Sequence, residues 1–312
     1  MASTHSIAVV TGGRSGERDR SLISGMAVSE SLTRQSIDHV VLDLADAEFP
    51  NRVRDAGVAF LAIAGRWAED GKLQGTLETL GVPYTGSGVL ASALGMHKPT
   101  AKNVVRSVGV AVLPHVVIGA GDDPEVAVRN VANLGWPVIL KPCSEGGSIG
   151  TEVFRDARDL AAVLADNKDE EWLAEPFSAG TAVTCGVITR GGELVPLPPL
   201  ETVPTTAEFY DYAAKRDPNA YRYRCPAELP EPTMAAIQRA ALDAHSALGC
   251  HSYSRSDFIV TPTRDLYWLE VNTLPGLSVH GNLATMASAA KISYDELVVA
   301  ILESAAHSRY RP

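Results

Sequence analysis

Ile7-Ala8-Val9-Val10-Thr11-Gly12-Gly13 is a short apolar run closed by a glycine turn, and Leu22, Ile23, Met26 and Ala27 beyond it recur at helical spacing. The segment reads as strand, turn, helix. Two further runs, Val40-Val41-Leu42 and Val58-Ala59-Phe60-Leu61-Ala62-Ile63, are each followed by polar turn residues and another helical stretch. Three such units predict a parallel sheet with helices on its faces. Pro83-Tyr84-Thr85-Gly86-Ser87-Gly88 is too rich in glycine and hydroxyls for an element interior and marks a domain edge shortly after it.

From Lys98 to about Phe177 the pattern gives a helix, a strand at Ala111-Val112-Leu113, a helix from Asp123 to Leu134, and a strand from Trp136 to Lys141. Strands at Glu152-Val153-Phe154 and Trp172 to Phe177 complete a small mixed domain. The remainder opens with Val183 to Thr189 and a turn at Arg190-Gly191-Gly192. Pro204 to Pro226 follows, polar and aromatic without a clear period, and so long an irregular stretch is more often functional than idle. A helix through Met234, Ile237, Ala241, Ala244 and Leu248 stops at Gly249. Strands Arg255 to Val260 and Leu266 to Asn272 flank a turn, and Tyr294, Leu297, Val298, Ile301 and Leu302 form the apolar stripe of a last helix.

The 312 residues suffice for two or three domains, and 46% hydrophobic with 21% charged residues excludes a disordered or fibrous chain. Lys and Arg number 27 against 37 Asp and Glu, a net charge of −10, so a nucleic-acid-binding face is not expected. An acidic chain that handles phosphates must place its cations locally. Cys143, Cys185, Cys225 and Cys250 show no CxxC spacing and read as buried, reduced thiols. The start of the chain lacks a basic, then apolar, leader, and no apolar run reaches bilayer length, which predicts a cytoplasmic protein without a membrane partner.

Side chains alternate faces along a strand, so Arg255, Asp257 and Ile259 share one face, and Glu270 and Asn272 share a face of the partner strand. If the two faces coincide, two carboxylates and an amide oxygen converge, a donor set that suits Mg²⁺. The same spacing also serves a solvated hairpin face with ordinary ion pairing. Lys141-Pro142-Cys143-Ser144-Glu145-Gly146-Gly147-Ser148-Ile149-Gly150 could wrap phosphates with backbone N–H groups or form a plain hairpin loop, and it is not a Walker A sequence. Gly12 to Glu17 lacks the GxGxxG spacing of a dinucleotide site. The eight histidines show no metal-ligand spacing, His251 and His280 read as core or surface residues, and packing suits Tyr210, Tyr212, Tyr221 and Tyr223.

Gly12-Gly13-Arg14-Ser15-Gly16-Glu17-Arg18, Glu69-Asp70-Gly71, Pro83 to Gly88, Phe209-Tyr210-Asp211-Tyr212-Ala213-Ala214-Lys215 and Glu270-Val271-Asn272-Thr273-Leu274-Pro275-Gly276 occur in this order over nearly the whole chain. In order and spacing they resemble the D-alanine-D-alanine ligases of the ATP-grasp superfamily. The resemblance implies a three-domain ATP-grasp α/β fold, with an N-terminal parallel-sheet domain over 1–97, a central subdomain over 98–178 and a C-terminal subdomain over 179–312. ATP would lie between the last two, with Lys98 and Lys141 on the phosphates, Glu175, Pro176, Phe177 and Ser178 at the adenine edge, and Ser148 and Leu269 also binding the nucleotide. Asp257, Glu270 and Asn272 would hold two Mg²⁺, for which Mn²⁺ could substitute.

By the same resemblance the substrates are small amino acids. A carboxylate takes the γ-phosphoryl group of ATP as an acyl phosphate, and an amine then displaces phosphate. Arg255 and the Gly276 N–H would stabilise the oxyanion, and Glu17 would anchor the first ammonium. Lys215, Arg216, Gly281 and Asn282 would meet the acceptor, and the Tyr210 to Lys215 loop would close over the site. The family's pairing through the exposed face of the first domain makes a homodimer an expectation here.

Several positions depart from the family pattern. Gly146-Gly147-Ser148 replaces Gly-Ser-Ser, Ala214-Lys215-Arg216 replaces Ala-Lys-Tyr, and Ala64-Gly65-Arg66 replaces His-Gly-Arg. Gly281 stands for a serine and Ala182 for a ribose-binding glutamate. These changes spare the expected ATP, metal and oxyanion residues and fall mainly on the amino-acid pockets and the loop. Arg216 could pair with a longer or anionic substrate or be a solvated loop residue. Three functions compete on these grounds: a ligase of this type, a specialised paralogue using another amino acid or forming a cyclised product, and a nucleotide-binding regulator without catalysis.

Overall fold

The computed structural model describes residues 7–147, 149–205 and 221–306. The first sheet is parallel, in the order β2-β1-β3, from β1 (Ile7–Thr11), β2 (His39–Asp43) and β3 (Val58–Leu61), as the three apolar runs predict. Helices α1 (Arg18–Arg34), α2 (Phe49–Val53), α3 (Lys72–Leu80) and α4 (Val89–Met96) accompany it.

Helix α1 forms where predicted but turns a different face to the core. Its buried residues are Ser21, Ser24, Gly25, Ala27, Val28, Ser31 and Leu32, whereas Leu22, Ile23 and Met26 are 38%, 52% and 60% exposed. Close approach to β1 is the cause. A Cβ on Gly25 would stand 2.4 Å from Thr11 Oγ1, so the helix lies on the strand through its small residues.

The second sheet is antiparallel, in the order β4-β7-β5-β6. It comprises β4 (Val116–Ile118), β5 (Val138–Pro142), β6 (Glu152–Phe154) and β7 (Trp172–Pro176). Helices α6 (Pro124–Ala132) and α7 (Ala157–Asp166) cover it, and each starts on an aspartate, Asp123 or Asp156, whose side chain accepts from two backbone N–H groups. The strand expected at Ala111-Val112-Leu113 is not in this sheet. The carbonyl of Ala111 accepts from the Trp268 N–H at 2.9 Å and Val112 bridges Trp268, so the segment lines the edge of the third sheet instead.

That third sheet runs β11-β10-β8-β12-β13, with β9 beside β8. Its strands are β8 (Thr181–Arg190), β9 (Glu193–Pro196), β10 (Leu200–Pro204), β11 (Tyr221–Arg224), β12 (Tyr253–Val260) and β13 (Leu266–Asn272). Helix α5 (Lys98–Ser107) packs on this sheet through Ala101 and Val105, beside Ile237, Ala241 and Ala244 of α8 (Glu231–Ala247). The last helices, α9 (Asn282–Ala289) and α10 (Tyr294–Ala306), pack on β8, and α10 also packs on α1. There Leu297, Val298 and Ile301 share one core with Val9, Phe60 and Leu32. Asp295 accepts from Ser31 Oγ and pairs with Arg34, both at 2.6 Å.

None of the four cysteines is bonded to another; Cys143 and Cys185 are buried, and Cys225 and Cys250 are half-buried. Among the described residues no helix is long and apolar enough to cross a membrane.

Candidate active site

Strands of the second and third sheets, together with α1 and the loops beside the first sheet, border one cleft of about 740 Å³. Its floor is the β12–β13 pair. Arg255 lies opposite Asn272 and Asp257 opposite Glu270, so the predicted faces do coincide, and all four line the cleft. Arg255 donates to Asp257 Oδ1 from Nε at 2.9 Å and to Oδ2 from a terminal nitrogen at 3.2 Å. Thr184 of β8 donates to the same Oδ1 at 2.7 Å. These bonds fix the carboxylate, and the Asp257 charge raises the Arg255 pKa even though burial opposes it. Two carboxylates and the Asn272 amide oxygen are hard oxygen donors, and they fit a divalent cation such as Mg²⁺.

Cations enter from the second sheet and from α5. Lys98 opens α5 with its Nζ 3.8 Å from Glu270, and it donates to the carbonyls of Pro142, at 3.3 Å, and Glu145. Burial lowers its pKa, against the pull of Glu270. Lys141 of β5 pairs with Glu175 of β7 at 2.9 Å. The other oxygen of Glu175 meets Lys102 at 2.7 Å, and the side chains of Lys102 and Glu175 are 0% exposed. Burial alone would raise the Glu175 carboxyl, but Lys141 and Lys102 hold it down at about 2. Glu175 is therefore not a lining residue. Pro176, Phe177, Ser178 and Leu269 do line the cleft, and the Phe177 N–H donates to Pro137 O at 2.9 Å.

The far wall comes from the start of α1 and the loop after β3. Glu17 and Glu69 face the 145–147 segment, and Arg20 stands 3.6 Å from Glu17. Burial, then the neighbouring Glu17 charge, pushes the Glu69 carboxyl up to about 8. Arg66 pairs with Glu145, which joins this wall to the glycine-rich segment. Gly147 has φ of +63°, and its Cβ would lie 3.4 Å from Glu17 Oε1, so a serine there would be strained. Ala64 and Ala182, where the sequence resemblance leads one to expect a histidine and a glutamate, both line the cleft.

Gly276, Gly281 and Asn282 close the site, with Gly281 as the N-cap of α9. The N–H of Leu277, next to Gly276, donates to Ser24 Oγ at 3.1 Å and ties this turn to α1. His280, Tyr221 and Tyr223 also reach the cleft, and the two tyrosine rings are 5.1 Å apart. Ser148, Lys215, Arg216 and the Tyr210 to Lys215 loop lie outside the described residues.

Thr184, Lys102 and Arg20 are not among the expected site residues, and Glu69 is expected only as part of a motif. The threonine carries one readable signal, its even spacing from Ala182 on β8. No local pattern points to the other two.

A family model described as "D-ala D-ala ligase C-terminus" matches residues 104–303. A D-alanine–D-alanine ligase of Citrifermentans bemidjiense is 42% identical over 96% of this chain and 95% of its own length. One of Geotalea uraniireducens is 40% identical over 97% and 96%. Among solved structures, the D-alanine–D-alanine ligase of Bacillus anthracis complexed with ATP superposes with a TM-score of 0.84 at 29% identity, covering 97% of this chain and 98% of its own.

Proposed function

Because the chain belongs to the D-alanine–D-alanine ligase family, with its ATP-grasp fold and ATP-dependent formation of a C–N bond, we propose that it joins two molecules of D-alanine. The names of its relatives support this reading over a specialised paralogue or a non-catalytic regulator. One observation carries it: Lys98, Lys141, Arg255, Asp257, Glu270 and Asn272 border a single cleft.

In this reading the domains divide as 1–97, 98–178 and 179–312. Lys98, Lys141 and Ser148 meet the phosphates of ATP, and Pro176 to Ser178 and Leu269 flank the base. Glu175 acts indirectly, by holding the Lys141 amine in place. Asp257, Glu270 and Asn272 hold the divalent cation, expected as two Mg²⁺, which when bound neutralises phosphate charge.

Glu17 anchors the ammonium of the first D-alanine and leaves its carboxylate oxygen to attack the γ-phosphorus, with ADP as leaving group. The second amine then attacks the acyl carbon. Arg255 and the Gly276 N–H face the oxygen that gains charge in the tetrahedral intermediate; the nitrogen gives up a proton, and phosphate departs as that intermediate collapses to the amide. Lys215 and Arg216, with Gly281 and Asn282, are assigned to the acceptor carboxylate.

The test is ADP release with Mg-ATP and D-alanine, with mass spectrometry of the product. D-Alanyl-D-alanine is expected, and ADP release only with another amino acid would overturn the substrate assignment.

A homodimer through α1 is part of the proposal. Leu22 and Met26 lie exposed one turn apart on this helix, an apolar pair that a second copy would cover.

A further inference from the structure

We propose that His97, Cys143 and Glu171 form a binding site for a thiophilic divalent metal, Zn²⁺ or Co²⁺, behind the phosphate-binding segment. One donor atom from each lies within 4.8 Å of the other two. None of the three lines the cleft, so this is not the Mg²⁺ site.

The backbone brings them together from three separate places. Cys143 follows β5, His97 joins α4 to α5, and Glu171 precedes β7. The Cys143 N–H donates to Glu171 O and the Lys98 N–H donates to Cys143 O, both at 2.9 Å. The cysteine is thus pinned between the segments that carry the other two ligands.

The donors suit the assignment. His97 Nε2 already stands 3.1 Å from Glu171 Oε2, and Nδ1 lies 2.6 Å from Thr100 Oγ1. Here Nδ1 accepts from the Thr100 N–H at 3.4 Å as the N-cap of α5, so Nε2 carries the proton towards Glu171. A metal at Nε2 would displace that proton and take the other tautomer, whose Nδ1–H donates to Thr100 Oγ1, the usual outer-shell arrangement of a ligating histidine. Zinc bonds of about 2.0–2.3 Å set donor-to-donor edges of roughly 3.3–3.8 Å. The two solvent-facing side chains, His97 at 33% and Glu171 at 44% exposure, can close that gap by rotation. The buried thiol forms the inner wall, and the outer side leaves room for a water as fourth ligand. Sulfur and imidazole favour zinc or cobalt, whereas Mg²⁺ takes oxygen donors. The reaction's own cation therefore does not compete.

Occupancy has a local consequence. Lys98 adjoins His97, and its amine holds the carbonyls of Pro142 and Glu145. A metal on His97 and Cys143 would clamp the start of α5 to the exit of β5, next to two lysines of the cleft.

The experiment adds Co²⁺ to the full chain in excess Mg²⁺ and reads the near-ultraviolet thiolate-to-cobalt charge-transfer band. One equivalent is expected to produce it. The band is expected to vanish in Cys143→Ser and His97→Ala and to persist in Cys225→Ser. Thr100→Val, which removes only the Nδ1 partner, should weaken binding about 10- to 100-fold. A wild-type protein without the band at saturating Co²⁺, or a band that survives Cys143→Ser, overturns the proposal. Cobalt held only by Asp257 and Glu270 gives no thiolate band and counts against it as well.

Discussion

Glu175 is the residue on which the cleft's cations depend. Its carboxylate lies wholly inside the protein between Lys102 and Lys141, so its removal leaves two buried amines without their paired carboxylate, offset only by the more distant charge of Glu270. Glu175→Gln is expected to cost about 3–5 kcal/mol, read as a lower midpoint in urea unfolding. A loss under 1 kcal/mol would mean that water reaches the pair. The pH dependence has a definite sign. With the folded carboxyl held near 2, below its ordinary value, the stabilisation is present above about pH 4.5 and fades as pH falls towards 2. At this scale the sequence reveals Arg255, Asp257, Glu270 and Asn272, because period two puts alternate residues of facing strands on one side. Lys102 and Glu175 stay hidden, since their pairing spans 73 positions and follows from α5 packing on the third sheet while its Lys102 reaches across to β7.

Helix α1 shows what period alone misses. A stripe of large apolar residues marks a helix, but the face that turns inward is chosen by how near the neighbouring strand comes. Here that face is lined by small residues, with Gly25 against Thr11. Gly25→Ala is expected to destabilise by about 1–3 kcal/mol through overpacking, seen as a lower denaturation midpoint with an unchanged slope. An unaltered midpoint would show that α1 can lift off β1 without cost. The strand expected at Ala111 to Leu113 fails for a related reason. Its apolar run is real, but the unpaired edge it meets belongs to β13. Most of the other strands and helices form close to their expected places, since their turn residues and caps are local signals.

Across the whole molecule, the parallel first sheet and the order of the family motifs are legible in the chain, whereas the merging of cores between distant segments is not. Tyr253 of β12 donates to Leu61 O at 3.2 Å, deep within the core of the first sheet. The outward apolar residues of α1 have their meaning at this scale too. Wild-type protein at micromolar concentration is expected to sediment as a dimer, and Met26→Asp as a monomer. A monomeric wild type would remove α1 from consideration as an interface.

The docking of α10 on α1 sets an order of events during synthesis. Ser31 waits for Asp295, 264 positions later, and the apolar side chains beside it wait for Leu297 and Ile301. A ribosome adds about 5–20 residues per second, so the face of α1 that meets α10 stays uncovered for on the order of ten to fifty seconds. Throughout that interval this face of α1 is available to a chaperone, and the docking of α10 seals it.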